Sequence, residues 1–97
     1  MQLTQYRLVG TTEVMILETS PSRTAFILYN NHATQIIYHR RAKGVSTANG
    51  FPLPAGGSSA FKIPEDDPTG QLWAIADGAN TDLRFIESFG LVPRGRQ

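Results

Sequence analysis

From residue 47 to residue 78 the chain reads TANGFPLPAGGSSAFKIPEDDPTGQLWAIADG. Very short apolar runs alternate there with Gly, Pro, Asn and Asp. None of it carries the 3.6-residue period of an amphipathic helix. Glycines 50, 56, 57, 70 and 78 open backbone conformations with positive φ. Prolines 52, 54, 64 and 68 fix φ and remove a ladder donor, which suits strand ends and turns. The runs between them, 61–63 and 72–76, are too short for helices and the right length for strands.

The rest of the chain follows the same grammar. Residues 3–9 alternate loosely and predict a strand or an extended arm, broken at Gly10-Thr11-Thr12. Residues 14–17 form a short β-rich run that ends at Ser20-Pro21-Ser22. Ala25, Phe26, Ile27, Leu28 and Tyr29 make the strongest strand, apolar on both faces. Such a strand lies centrally, or gives one face to the core and the other to a partner. Asn30-Asn31-His32-Ala33 reads as a turn, and 35–39 returns with Ile36, Ile37 and Tyr38, so the two runs predict a hairpin. Residues 40–49 are polar and read as a loop. Runs at 51–53, 60–63, 72–76 and 83–87 add four strands, and Asp77-Gly78-Ala79-Asn80 joins the last two in a tight turn. A single turn of helix near 66–70 is the only helical candidate. About seven to nine short antiparallel strands, spaced by roughly ten residues, predict an all-β chain: a compact β-sandwich or jelly-roll-like barrel. Alternate positions on those strands place Phe26, Leu28, Trp73, Ile75 and Phe85 in its core.

Length and composition narrow the picture. Ninety-seven residues make one domain, 1–97, with extended arms expected at 1–9 and 89–97. Nine Lys+Arg against eight Asp+Glu leave a net charge of +1. That argues against nucleic acid as a partner, because phosphate neutralisation needs a basic face. It also lets copies pack closely. With no cysteine, a disulfide framework, a zinc ribbon and a thiol nucleophile are excluded, which suits synthesis in a reducing cytoplasm or a protein stabilised by its neighbours. Residues 1–10 show neither a basic start nor an apolar core run, and no apolar run approaches the roughly 20 residues of a membrane span.

Candidate chemistry is sparse. His32 and His39 sit at the turn and a strand end of the proposed hairpin, but no spaced carboxylate or thiol completes a metal shell around them. Glu65-Asp66-Asp67 lacks the alternating spacing of a calcium loop and reads as turn chemistry ahead of Pro68-Thr69-Gly70. Gly56-Gly57-Ser58-Ser59 lacks the lysine and helix of a phosphate loop. Ser46, Ser58 and Ser59 show no triad spacing. The expectation is therefore no catalytic residue, no metal and no cofactor. Arg40, Arg41 and Lys43 form the one basic cluster, read as an exposed loop suited to an acidic partner surface. Trp73, Tyr29, Tyr38 and Phe26 would be the aromatics of a sugar platform, though aromatics on strands mostly belong to the core.

Taken in order, Arg23-Thr24-Ala25-Phe26-Ile27-Leu28-Tyr29-Asn30-Asn31, Ile37-Tyr38, Val45-Ser46-Thr47-Ala48-Asn49-Gly50-Phe51-Pro52-Leu53, Ala55-Gly56-Gly57-Ser58, Leu72-Trp73-Ala74-Ile75-Ala76 and Leu83-Arg84-Phe85-Ile86-Glu87 resemble a family of small accessory virion proteins of tailed phages. These are head decoration, or cement, proteins. The resemblance covers about two thirds of the chain. One departure is His39-Arg40-Arg41, where the family has a glycine after its "IY" strand. The resemblance implies a β-sandwich or jelly-roll-like module, commonly trimeric, without catalytic residues. It implies synthesis in the host cytoplasm, attachment to the major capsid protein and residence on the outer surface of the head. Two alternatives are a neck, tail or fibre-base subunit and a carbohydrate-binding module of a receptor-binding protein. Neither nucleic acid nor membrane is expected as a partner. Candidate partner contacts are Tyr6, Arg40, Arg41, Lys43, Phe89, Leu91 and Arg94. Leu91-Val92-Pro93-Arg94-Gly95 matches a thrombin cleavage core, but a vector remnant would continue with serine, whereas Arg96-Gln97 follow. A native tail is the favoured reading.

Overall fold

Alternation of inward and outward side chains is clearest on two strands, β3 (Arg23–Asn30) and β8 (Thr81–Phe89). On β3, Phe26, Leu28 and Asn30 turn inward while Ile27 and Tyr29 turn outward. On β8, Thr81, Leu83, Phe85 and Glu87 are buried. The computed structural model describes residues 2–62 and 66–90, of residues 2 and 3 the backbone alone. Six further strands complete it: β1 (Gln2–Val9), β2 (Val14–Leu17), β4 (Ile37–Arg40), β5 (Phe51–Leu53), β6 (Ser58–Lys62) and β7 (Leu72–Ala76).

The strands form two four-stranded antiparallel sheets. Sheet I has the order β1-β8-β3-β6 and sheet II the order β2-β7-β4-β5. The pairing is nested: first strand with eighth, second with seventh, third with sixth, fourth with fifth. Two further ladders, β3–β8 and β4–β7, close each sheet. That is a long eight-stranded hairpin rolled over on itself, the strand order of a jelly roll. The chain is all-β, with no helix among the described residues, and 66–70 is a turn.

The expected hairpin between β3 and β4 does not form. β3 lies in sheet I and β4 in sheet II, so Asn30 and the residues after it make a corner instead. Asn30 is the last residue of β3 and fully buried. Its amide donates to the carbonyls of Gln35 (2.8 Å) and Leu53 (2.9 Å), and its side-chain oxygen accepts the His32 N–H (3.0 Å). A buried amide with all these bonds costs little and pins three segments together. The turn from β7 to β8 likewise crosses between sheets, and Asn80 takes φ 55° in it, which an asparagine tolerates. Of the glycines expected at positive φ, only Gly56 has it, at 74°. Gly50 is needed for space: a Cβ there would lie 2.7 Å from Tyr38 Cβ.

The core lies between the sheets. Phe26, Leu28, Leu83 and Phe85 come from sheet I, and Leu17, Ile37, Leu53, Leu72, Ala74 and Ala76 from sheet II. This corrects the expected register of β7. Trp73 and Ile75 are half-buried on the far side, and Leu72, Ala74 and Ala76 face inward. Trp73 places its indole N–H on Gln71 Oε1 at 3.0 Å, a bond the apolar interior does not offer. Residues 2–9, open to reading as an arm, are strand β1 paired along its whole length with β8.

Candidate interaction surface

Because β3 and β8 spend one face on the core, their other face decides what sheet I shows to the outside. Cross-strand register sets the rows of that outer face. One row is Tyr6, Arg84, Tyr29 and Ser58; the next is Thr4, Ile86, Ile27 and Ala60. Leu8 stands opposite Asp82, and Ala25 lies between Ser88 and Lys62. The large apolar members are open to solvent: Tyr6 is 67% exposed, Leu8 53%, Ile27 44% and Tyr29 41%. Thr4, Ile27, Tyr29, Arg84 and Ile86 line a shallow hollow of about 250 Å³.

Arg84 is the polar centre of this field. Its Nη2 lies 2.9 Å from Asp82 Oδ2, and its Nε donates to both Asp82 oxygens. Asn31 donates to Asp82 Oδ2 at 3.0 Å. The Arg84 hydrogen bond holds the Asp82 carboxyl below the usual carboxylate range, and Asp82 in turn raises Arg84. The guanidinium sits 5.9 Å from the centre of the Tyr6 ring. Tyr and Arg around an apolar hollow are residue types that anchor protein interfaces. Counting the outward charges, Arg84 and Lys62 exceed Asp82, so the face is mildly positive.

The other expected contacts lie elsewhere. Arg40 ends β4 on sheet II, exposed and opposite Trp73. Arg41 is not a free loop cation. Its Nε donates to Gln71 O (3.0 Å), its Nη2 to Asp67 O, and its guanidinium lies over the Phe26 and Phe61 rings at 5.5 and 5.8 Å. Lys43 Nζ is 5.8 Å from the Trp73 ring. Two of the three basic residues thus serve the fold. Phe89 ends β8, half-buried, opposite Arg23. Leu91 and Arg94 lie outside the described residues. Among the expected contacts that are described, Tyr6 alone falls on the exposed face, whose other members, Leu8, Ile27, Tyr29, Arg84 and Ile86, were not among them. Ile27 and Tyr29 carried a signal, being the outward half of the two-sided run.

A second cleft, of about 260 Å³, opens beside β1 and the β2–β3 corner, lined among others by Gln5, Glu18, Arg23 and Glu87. Its buried charges, Arg23 and Glu87, are already paired. Arg23 Nε bonds Glu87 Oε2 at 3.0 Å, its Nη1 donates to Pro68 O (3.0 Å) and Gly70 O (3.3 Å), and its Nη2 to Glu18 O (2.8 Å). Gln5 Nε2 donates to Glu87 Oε1 at 2.9 Å. This is a strut between sheet and loops. His32 Nδ1 accepts the N–H groups of Thr34 and Gln35, which makes it a turn residue. His39 is buried on β4 between the Phe51 and Phe61 rings. Asp67 Oδ1 accepts from Thr69 N and Oγ1, ordinary turn chemistry. Among the described residues, no three of His, Cys, Asp and Glu group to hold a metal ion.

Compared with protein-family models, with curated proteins and with solved structures, the chain matches none.

Proposed function

We propose that this chain is a non-catalytic virion subunit that decorates the assembled head of a tailed phage, docking on the major capsid protein through the outer face of sheet I. One observation carries the docking surface. The outer face of sheet I presents Tyr6, Leu8, Ile27 and Tyr29 to solvent around Arg84, where a monomer needs no such side chains. The mildly positive balance of that face suits a capsid surface carrying carboxylates opposite Arg84 and Lys62. The virion assignment rests on the resemblance of residues 23–87 to decoration proteins. Mechanistically, each subunit makes a modest contact, and many copies on a closed shell reinforce it together.

Co-sedimentation of the purified chain with undecorated shells tests this. The full chain pellets with shells, and Tyr29→Asp or Ile27→Asp releases it into the supernatant while leaving the melting temperature within a few degrees, roughly what an exposed position allows. Variants that pellet like the parent would reject this face. A parent that stays in solution would reject decoration itself and favour a neck or fibre-base place. Copy number per virion separates those two places: hundreds for decoration, about a dozen or fewer for the neck, as symmetry dictates.

A further inference from the structure

The four edge strands of the sandwich are not equally protected. β5 has three residues with Pro52 in the middle, and β2 has four and a register irregularity between Met15 and Leu17. β6 has five residues, follows Gly56-Gly57 and ends on an exposed lysine, Lys62. Shortness, proline, bulges and lysine are the devices that keep sheet edges from pairing with other chains. β1 has none of them. It runs eight residues without proline, its register with β8 is unbroken from Gln2 to Val9, and Thr4 to Leu8 are all exposed. Its one charged residue, Arg7, donates to the Met15 carbonyl at 3.4 Å. Among the described residues, nothing pairs with its outer edge.

Backbone geometry tells which groups that edge offers. Asn31 N–H donates to Asp82 O at 2.8 Å, so the Asp82 backbone faces the β3 side of β8. Its β1 partner Leu8 must then direct N–H and C=O away from β8. The same parity follows independently from Asn30, whose N–H donates to Gly57 O and whose C=O accepts the Gly56 N–H on the β6 side, which leaves the Leu83 backbone for Arg7. Thr4, Tyr6 and Leu8 therefore hold their backbone donors and acceptors at the open edge, and their side chains belong to the outer face.

We infer that β1 pairs antiparallel with β1 of a second copy, about a two-fold axis through Tyr6, to make one continuous eight-stranded sheet. The side chains favour that occupant and that axis. Tyr6 then stands beside its twin, Thr4 opposite Leu8, and Gln5 opposite Arg7, an aromatic pair flanked by compatible neighbours. Moving the axis to Arg7 would set two guanidiniums face to face. Moving it to Gln5 would part the tyrosines and set Arg7 opposite Leu3. About six new backbone hydrogen bonds form, two for each outward-facing pair. The pairing also joins two outer faces of sheet I into one surface with the tyrosines at its centre. It does not rest on the capsid reading, because it concerns the purified chain alone. A strand against itself closes at two copies, whereas the trimer that the resemblance implies needs a different contact.

Sedimentation velocity across micromolar to millimolar concentrations gives the first readout: the mass rises from one chain towards two. Tyr6→Pro removes an N–H that β8 does not use, so it abolishes the dimer while the chain still folds. Single cysteines give the second readout and do not depend on that variant folding, since the chain has no cysteine of its own. Tyr6→Cys cross-links to a dimer under mild oxidation, because paired Cα atoms across this axis lie about 5.5 Å apart. Thr4→Cys and Leu8→Cys, each opposite the other residue, do not. A one-chain mass at every concentration, a three-chain mass, a dimer that survives Tyr6→Pro, or cross-linking as ready from Leu8→Cys as from Tyr6→Cys would each overturn the inference.

Discussion

Arg23 and His39 both point into the sandwich, and each is nearly shut off from water, at 3% and 4% exposure. Their surroundings differ. Arg23 meets a carboxylate and three carbonyls, so its guanidinium is neutralised and hydrogen-bonded. His39 lies among rings, and among the described residues its buried Nε2 has no hydrogen-bond partner. One site is held by a satisfied charge, the other tolerates an unsatisfied neutral group. A buried charge persists only when everything around it answers it. A buried imidazole can persist by staying neutral. Burial, and then the nearby Arg41 charge, push the His39 pKa below its ordinary value.

Removing the satisfied group has the largest expected effect. Arg23→Ala leaves Glu87 charged and buried, and deprives three loop carbonyls of their donor. Urea denaturation should show a loss of about 3–5 kcal/mol. A loss within experimental error would mean that the strut carries no weight and the contrast with His39 is empty.

Acid tests the other side. His39 titrates lower in the folded chain than in the unfolded one, so the unfolded chain binds the proton more readily. The stability contributed is complete above the unfolded pKa of about 6.5 and is lost as pH falls below it towards the folded value. The urea midpoint should therefore drop between about pH 7.5 and pH 5. His39→Leu should flatten that part of the profile and change stability near pH 7 by less than about 1.5 kcal/mol. An unchanged profile in His39→Leu would assign the acid sensitivity to other groups. The smallest effect belongs to a side chain that answers to neither rule: Tyr29→Asp, on the open face, should alter stability by no more than about 0.5 kcal/mol.

Much of this was legible from the chain, and the failures have causes. On β8 Leu83 and Phe85 alternate with Asp82 and Arg84, so the pattern itself puts Phe85 inward; Phe26 and Leu28 on the two-sided β3 also lie inward, as expected. β7 reads Leu-Trp-Ala-Ile-Ala, apolar at every position, and parity cannot be read where both faces qualify. Its neighbour β4 decides, with Ile37 and His39 opposite Ala76 and Ala74 on the core side. Short connections suggested hairpins because adjacency in sequence suggests pairing. Here corners such as Asn30 send the chain to the opposite sheet, and that choice depends on bonds to residues far along the chain. The Arg23–Glu87 strut had one overlooked sign. Glu87 shares the parity of Leu83 and Phe85, and a charge at an inward position calls for a partner. The exposed face was half visible, in Ile27 and Tyr29. Its other members, on β1 and β8, come together only through ladder register.

The nested strand order has a consequence for how the chain reaches this state. β8 is the inner neighbour of both β1 and β3, yet it is the last of the eight strands to be synthesised. Until it emerges, β1 has no ladder at all, and β3 holds only its β6 side. Ladders this distant in sequence form late, since closing long loops precedes their reward. The nascent chain therefore carries an unpaired β1 and a two-sided apolar β3 through most of translation, and aggregation competes with folding over that interval.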